Sequence, residues 1–266
     1  VFNEEMFRNQ VRKMGLEKDL RKALAHQEFL VVYQPKWDSL NNRMIGIEAL
    51  LRWNHPEFGI ISPGEFIPIA EANGTILPIG RWTIVEACRQ IRAWQDEGIT
   101  PPVVGVNISA AQLKLSPDFD ALVARSLAEY DVAASQLELE LTESVLMETT
   151  RRNKELFERI ERIGVRLAID DFGTGYSSLD YLATFHVSRL KIDRRFISGV
   201  ATNPRDDTIV RATISLAHEL GLEVVAEGLE NAKQKAFLMS VGCNVAQGNY
   251  LAVPMPAARV SALLRR

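Results

Sequence analysis

Soft-metal and redox chemistry have little to work with in this chain. Two cysteines, Cys88 and Cys243, and four histidines stand among 266 residues, and none falls in metal-ligand spacing. The cysteines lie far apart, one in a helical pattern and one ahead of a strand-like run, so both read as buried free thiols. Charge of one sign is also missing: 31 basic residues face 34 acidic ones, a formal net charge of −3, with no basic block. That balance excludes a nucleic-acid polymer or an anionic membrane surface as the main partner, and an anionic substrate would need local compensation. No apolar run approaches the ~18 residues of a membrane span and no secretory pattern opens the chain, which reads as a cytoplasmic segment without membrane contact. Val1 in place of an initiator methionine, and a charged amphipathic stretch from Asn3 to His26, predict a piece of a longer protein. The expected division is a linker helix over 1–26 and one domain over 27–266.

What the chain does have is alternation. Eight apolar runs of strand length recur: Leu30 to Tyr33, Met44 to Leu51, Val103 to Val106, Leu137 to Leu141, Val165 to Ile169, Val187 to Ile192, Glu223 to Ala226 and Cys243 to Ala246. Helix-period segments fall between most of them: Pro63 to Ala72, Arg81 to Glu97, Phe119 to Glu129, Glu143 to Ile163, Asp206 to Leu220 and Ala232 to Met239. This order predicts an α/β fold with a parallel sheet, and eight strands in a chain of this length fit a closed (β/α)8 barrel. The first connection, Trp37 to Arg43, is too short for a crossover helix and typical of a hairpin, so one strand of the barrel should be antiparallel.

In such barrels catalytic groups sit where strands end. Here those ends are polar: Glu48, Asn107, Glu140, Asp170 with Asp171, Lys191, Glu227 and Gln247. Residues two apart on a strand share a face. Gly46, Gly105 and Ala168 lie beneath Glu48, Asn107 and Asp170, as a crowded interior requires, while Leu190, Ile192, Leu139 and Leu141 face the helices. Glu138 shares the face of Glu140 one step lower and reads as structural. Five carboxylates converging on only one lysine call for added cations. No histidine joins the set, so oxygen ligation by Mg²⁺ or Mn²⁺ is expected, and the Asp170–Asp171 pair suggests two ions with one carboxylate bridging. That arrangement suits phosphodiester hydrolysis.

These residues resemble the EAL-domain cyclic di-GMP phosphodiesterases of bacterial signalling. The resemblance rests on Glu48-Ala49-Leu50-Leu51-Arg52-Trp53, Tyr33-Gln34-Pro35, Val106-Asn107-Ile108-Ser109, Glu140-Leu141-Thr142-Glu143-Ser144, the run from Asp170 to Ser178, Leu190-Lys191-Ile192-Asp193, Ala226-Glu227-Gly228-Leu229-Glu230, and Gln247-Gly248 with Pro254-Met255-Pro256. It implies a modified TIM barrel with one antiparallel strand, and hydrolysis of cyclic di-GMP to linear pGpG with two Mg²⁺ or Mn²⁺ ions. It implies that Glu48, Asn107, Glu140, Asp170, Asp171 and Glu227 hold the ions, with Lys191 and Glu48 in catalytic roles and Lys191 orienting or deprotonating the attacking water. Arg52 would grip a phosphate, and Gln34, Leu51, Asp193, Glu230 and Gln247 would shape the substrate site. Glu143 would anchor the loop from Phe172 to Ser178, which couples a homodimer interface to the active site in this family. A sensory or diguanylate-cyclase-like module would precede the domain. The competing expectation is a catalytically silent receptor for the same nucleotide.

Overall fold

The computed structural model describes residues 4–147, 151–173 and 185–265. A lead helix, α1 (Glu4–Ala23), runs into β1 (Phe29–Asp38), β2 (Arg43–His55) and a short β3 (Gly59–Ile61). Then come α2 (Pro63–Asn73), α3 (Ile76–Asp96), β4 (Val103–Ile108), α4 (Ala110–Leu115), α5 (Phe119–Glu129), β5 (Leu137–Thr142), α6 (Glu143–Met147), α7 (Arg151–Ile163) and β6 (Arg166–Phe172). The chain finishes with β7 (Arg189–Ile192), α8 (Arg194–Ile197), α9 (Pro204–Glu219), β8 (Glu223–Ala226), α10 (Ala232–Ser240), β9 (Val245–Ala246) and α11 (Ala257–Leu264).

Strands β2, β4, β5, β6, β7, β8 and β9 follow one another in parallel, and β1 closes the ring antiparallel to both β2 and β9. The reversed strand has a local cause. Asp38 accepts hydrogen bonds from the backbone of Leu40 and Asn41, at 2.9 and 3.3 Å, and Asn42 takes a left-handed φ of 49°, which together turn the chain straight back into β2. All eight expected strands are present. Sequence reasoning missed β3 and stopped β2 four residues short, because Trp53 to His55 pair with Gly59 to Ile61 in a second small hairpin outside the ring.

One difference in the helices has a physical reason. Helix α3 begins at Ile76, ahead of the expected Arg81, since Pro78 lies in its first turn where a missing N–H costs nothing. Gly80 is there for space: a Cβ would sit 1.8 Å from the Gln112 side chain, which caps α4 in a reciprocal box with Ser109. Of the expected helix from Glu143 to Ile163, the described residues are helical over α6 and α7, and 148–150 lie outside the described set.

Apolar residues lie mainly between strands and helices: Val104, Val106, Leu139, Leu141, Ile169 and Leu190 are at most 1% exposed. A second cluster around Leu16, Leu20, Phe29, Trp53 and Phe66 seats α1 and α2 against the hairpin. Both cysteines are buried and free, and burial pushes each thiol up to about 12, which leaves them inert. No helix of the described residues is long and apolar enough to cross a membrane.

Candidate active site

The inside of the ring departs from the usual barrel filling of Val, Ile and Leu. Lys36, Glu138, Glu140 and Lys191 are buried to 1% exposure or less, and Arg189 to 2%. At the C-terminal end of the parallel strands, Lys191 sits at the centre of the carboxylates. Its Nζ lies 2.7 Å from Glu227 Oε1, 3.0 Å from Asp170 Oδ2 and 3.6 Å from Glu48 Oε1, and it donates to Glu140 Oε2. Burial opposes the charge of Lys191, but Asp170, Glu140, Glu227 and Glu48 outweigh it and hold the pKa well above the lysine range. Lys191 is therefore an ammonium in the metal-free protein, suited to orienting a water or an anion.

One oxygen each from Glu48, Glu140 and Asp170 lie within 4.8 Å of one another, and so do oxygens from Asp170, Asp171 and Glu227. The two sets share Asp170. Adjacent residues on a regular strand point to opposite faces, so the convergence of Asp170 and Asp171 needs a backbone departure. It is found at Asp171, whose φ is 55°, where the pairing of β6 with β7 also breaks between Ile169 and Phe172. Asp170 Oδ1 accepts from the Asp171 amide at 2.9 Å, which fixes the turn.

The remaining residues complete the rim. Asn107 donates its amide to Glu48 Oε1 at 2.6 Å, leaving its carbonyl oxygen free to face a cation. Gln247 donates to Glu48 Oε2 at 2.5 Å and to Gln34 Oε1 at 2.9 Å, and Gln34 in turn donates to the Ala252 carbonyl at 3.0 Å. Gln247 Oε1 is buried without a hydrogen-bond partner among the described residues. Gln34, Glu48, Glu227, Glu230 and Gln247 line a cleft of about 250 Å³. Leu51 lies instead in the wall of a neighbouring, more apolar cavity of about 470 Å³ that also reaches Asn107. Arg52, half-buried, donates to the Leu51 carbonyl at 2.8 Å. Asp193 caps α8 by accepting from the Arg195 amide at 2.7 Å and from its guanidinium at 3.0 Å. Glu143 Oε2 accepts from the Gly173 amide at 3.0 Å; the expected loop from position 174 onward lies outside the described residues.

Sequence reasoning counted one lysine in the interior, and the structure corrects this. Lys36 reaches in from β1, with its Nζ 3.2 Å from Glu138 Oε1 and bonded to Glu140 Oε1. Arg189 donates to both oxygens of Glu138, at 2.7 and 2.6 Å, and to Glu223 at 2.7 Å. Period 2 carried the signal: Lys36 is two residues from Gln34, and Arg189 two from Lys191. Burial alone would raise the Glu140 pKa, but Lys191 and Lys36 lower it to about 2.

The EAL domain profile matches residues 17–254. The chain belongs to the EAL domain family. This EAL domain is 44% identical over 98% of its length to the bifunctional diguanylate cyclase/cyclic di-GMP phosphodiesterase MucR of Pseudomonas aeruginosa, and 40% identical over 97% to the cyclic di-GMP phosphodiesterase PdeR of Escherichia coli. It spans 38% of the length of either relative. The solved PaMucR phosphodiesterase in complex with c-di-GMP superposes with a TM-score of 0.88 at 44% identity, covering 92% of this chain and 99% of that one. The modified TIM barrel is thus shared by an EAL domain seen with the cyclic dinucleotide.

Two predictions follow from the geometry. Gly248, next to Gln247, packs so tightly that a Cβ would sit 2.2 Å from the backbone N and O of Leu229. Gly248→Ala should destabilise the EAL domain by about 1–3 kcal/mol, read from denaturant unfolding, because the backbone must shift. The second concerns pH. Burial first, then Asp170 and Asp193, push the carboxyl of Asp171 up to about 7 in the metal-free protein. The unfolded chain releases that proton near a pH of about 4, so this group's contribution to stability is full below that pH and is lost as pH rises through about 7. A divalent cation held there must displace the proton. Calorimetric Mg²⁺ titrations in buffers of different ionisation enthalpy should show more proton release at pH 6.5 than at pH 8.5, where Asp171 is already ionised; equal release at both would contradict the assignment.

Proposed function

We propose that this EAL domain hydrolyses cyclic di-GMP to linear pGpG with two divalent cations, Mg²⁺ or Mn²⁺, lowering the messenger in bacterial signalling. The observation that carries the reading is the pair of carboxylate sets sharing Asp170 around one lysine. The donor set is all oxygen, and Gln247 Oε1 adds a buried acceptor with no partner among the described residues, which suits a hard cation and its water shell. Ionised, the five carboxylates outnumber Lys191 and Lys36 by three charges, an excess of negative charge that bound divalent cations would offset. Glu48, Asn107, Glu140 and Asp170 would hold one ion, and Asp170, Asp171 and Glu227 the other. Bound there, the ions supply Lewis acidity and charge neutralisation at a phosphodiester.

The chain's own residues do the rest. Lys191 holds its ammonium among Glu48, Asp170 and Glu227, where it orients the attacking water and donates to developing negative charge. Arg52 shares the inward parity of Glu48 along β2, and its planar fork engages a phosphate. Gln34, Gln247 and Glu230 present amide and carboxylate edges to a guanine in the cleft. Asp193 supports Asp171 from the start of α8. The lead segment over 1–26 connects this domain, over 27–266, to a sensory or cyclase-like module, a reading supported by the greater length of MucR and PdeR.

The test is incubation of the purified chain with cyclic di-GMP in Mg²⁺ and in EDTA, with chromatographic detection of pGpG. Conversion in Mg²⁺ alone supports the proposal. Tight binding without conversion under either condition would make the domain a receptor instead.

A further inference from the structure

Below the rim, Lys36 enters the barrel with no more than 1% of its side chain exposed. Two glycines make its path. A Cβ at Gly46 would sit 3.1 Å from Lys36 Cδ, and one at Gly105 would sit 2.0 Å from Glu140 Oε1 and 3.0 Å from Lys36 Nζ. Neither glycine is among those with positive φ, so what they supply is room. The slot ends at Glu140, where Lys36 bonds Oε1 while Lys191 bonds Oε2.

Volume does not require an ammonium there. An apolar side chain of the same length would fill the slot without the cost of desolvating a charge. Glu138 does not require it either, because Arg189 already donates to both of its oxygens. The contact that only Lys36 supplies is the one to Glu140 Oε1. We propose that Lys36 is a positioning residue for metal binding: it pins one oxygen of Glu140 so that the carboxylate presents Oε2 alone, as a one-oxygen ligand of fixed direction. The inference rests on the metal site argued above. It adds that the orientation of Glu140 is set from beneath, by a strand that contributes no metal ligand of its own.

The test uses the whole chain and Mn²⁺ without substrate, titrated by calorimetry, alongside thermal unfolding in EDTA. Lys36→Met keeps the length of the side chain and removes the ammonium. It should fold and bind Mn²⁺ at least about tenfold more weakly, the usual scale for losing a group that orients a ligand. Gly105→Ala attacks the same contact from the opposite side with Lys36 intact, and should also weaken Mn²⁺. A purely structural role would lower the melting temperature and leave the Mn²⁺ affinity of the folded protein unchanged. Wild-type affinity in folded Lys36→Met, or in Gly105→Ala should Lys36→Met fail to fold, overturns the inference. If the wild-type protein takes up no Mn²⁺, the metal site itself is refuted and the inference falls with it.

Discussion

Asp170→Asn should reduce cyclic di-GMP hydrolysis by more than about a hundredfold while leaving the fold intact. The asymmetry follows from the two jobs of the side chain. Its Oδ1 accepts from the Asp171 amide at 2.9 Å, and an asparagine oxygen can keep that bond, so the turn survives. Its negative charge belongs to both carboxylate sets at once, and an amide offers neither that charge nor a second ligating oxygen. The check is turnover at saturating Mg²⁺ beside circular dichroism and thermal unfolding. Near-normal turnover would show that Asp170 does not bridge two ions.

The second large effect is expected at Lys191. Replacing it with methionine removes the cation facing Glu48, Glu140, Asp170 and Glu227. Breaking a buried pair by deleting one partner costs about 3–5 kcal/mol, because the opposite charges stay behind. Lys191→Met should therefore unfold at a clearly lower temperature in EDTA. Mg²⁺ should recover much of the deficit, since an ion that binds only the folded state supplies the missing positive charge and adds its binding energy to stability. Activity should stay about a hundredfold or more below wild type even in Mg²⁺, as an ion does not replace a donor aimed at developing charge. An EDTA melting temperature equal to wild type would mean that the carboxylates shed their charge by binding protons.

Much of this architecture is legible in the sequence. Strand ends could be read because each apolar run stops at a polar residue, and two-residue parity placed Glu48, Asn107, Glu140 and Lys191 on the inner face. The hairpin was legible because the connection from Trp37 to Arg43 cannot span a crossover. Lys36 was not found because the apolar run stops at Tyr33, leaving Lys36 between that run and the connection that begins at Trp37. Proline is tolerated at position 35 because β1 pairs with β9 only from Trp37 onward, leaving Pro35 without a ladder partner on that side. The start of α3 was missed, and the side chain that fills the space beside Gly80, Gln112, is 32 positions away. The Asp170–Asp171 pair was read as a metal pair from its adjacency, but its joint inward placement runs against strand parity, and the backbone departure at Asp171 that allows it leaves no signal in the sequence.

The pair of aspartates works together because the backbone at position 171 breaks step with its neighbouring strand. One residue gained or lost within Arg166–Phe172 could preserve every letter of the signature and still swing one carboxylate outward. Two domains with the same motif could then differ in turnover for a reason that motif inspection does not register, and the φ angle at the second aspartate is the place to look.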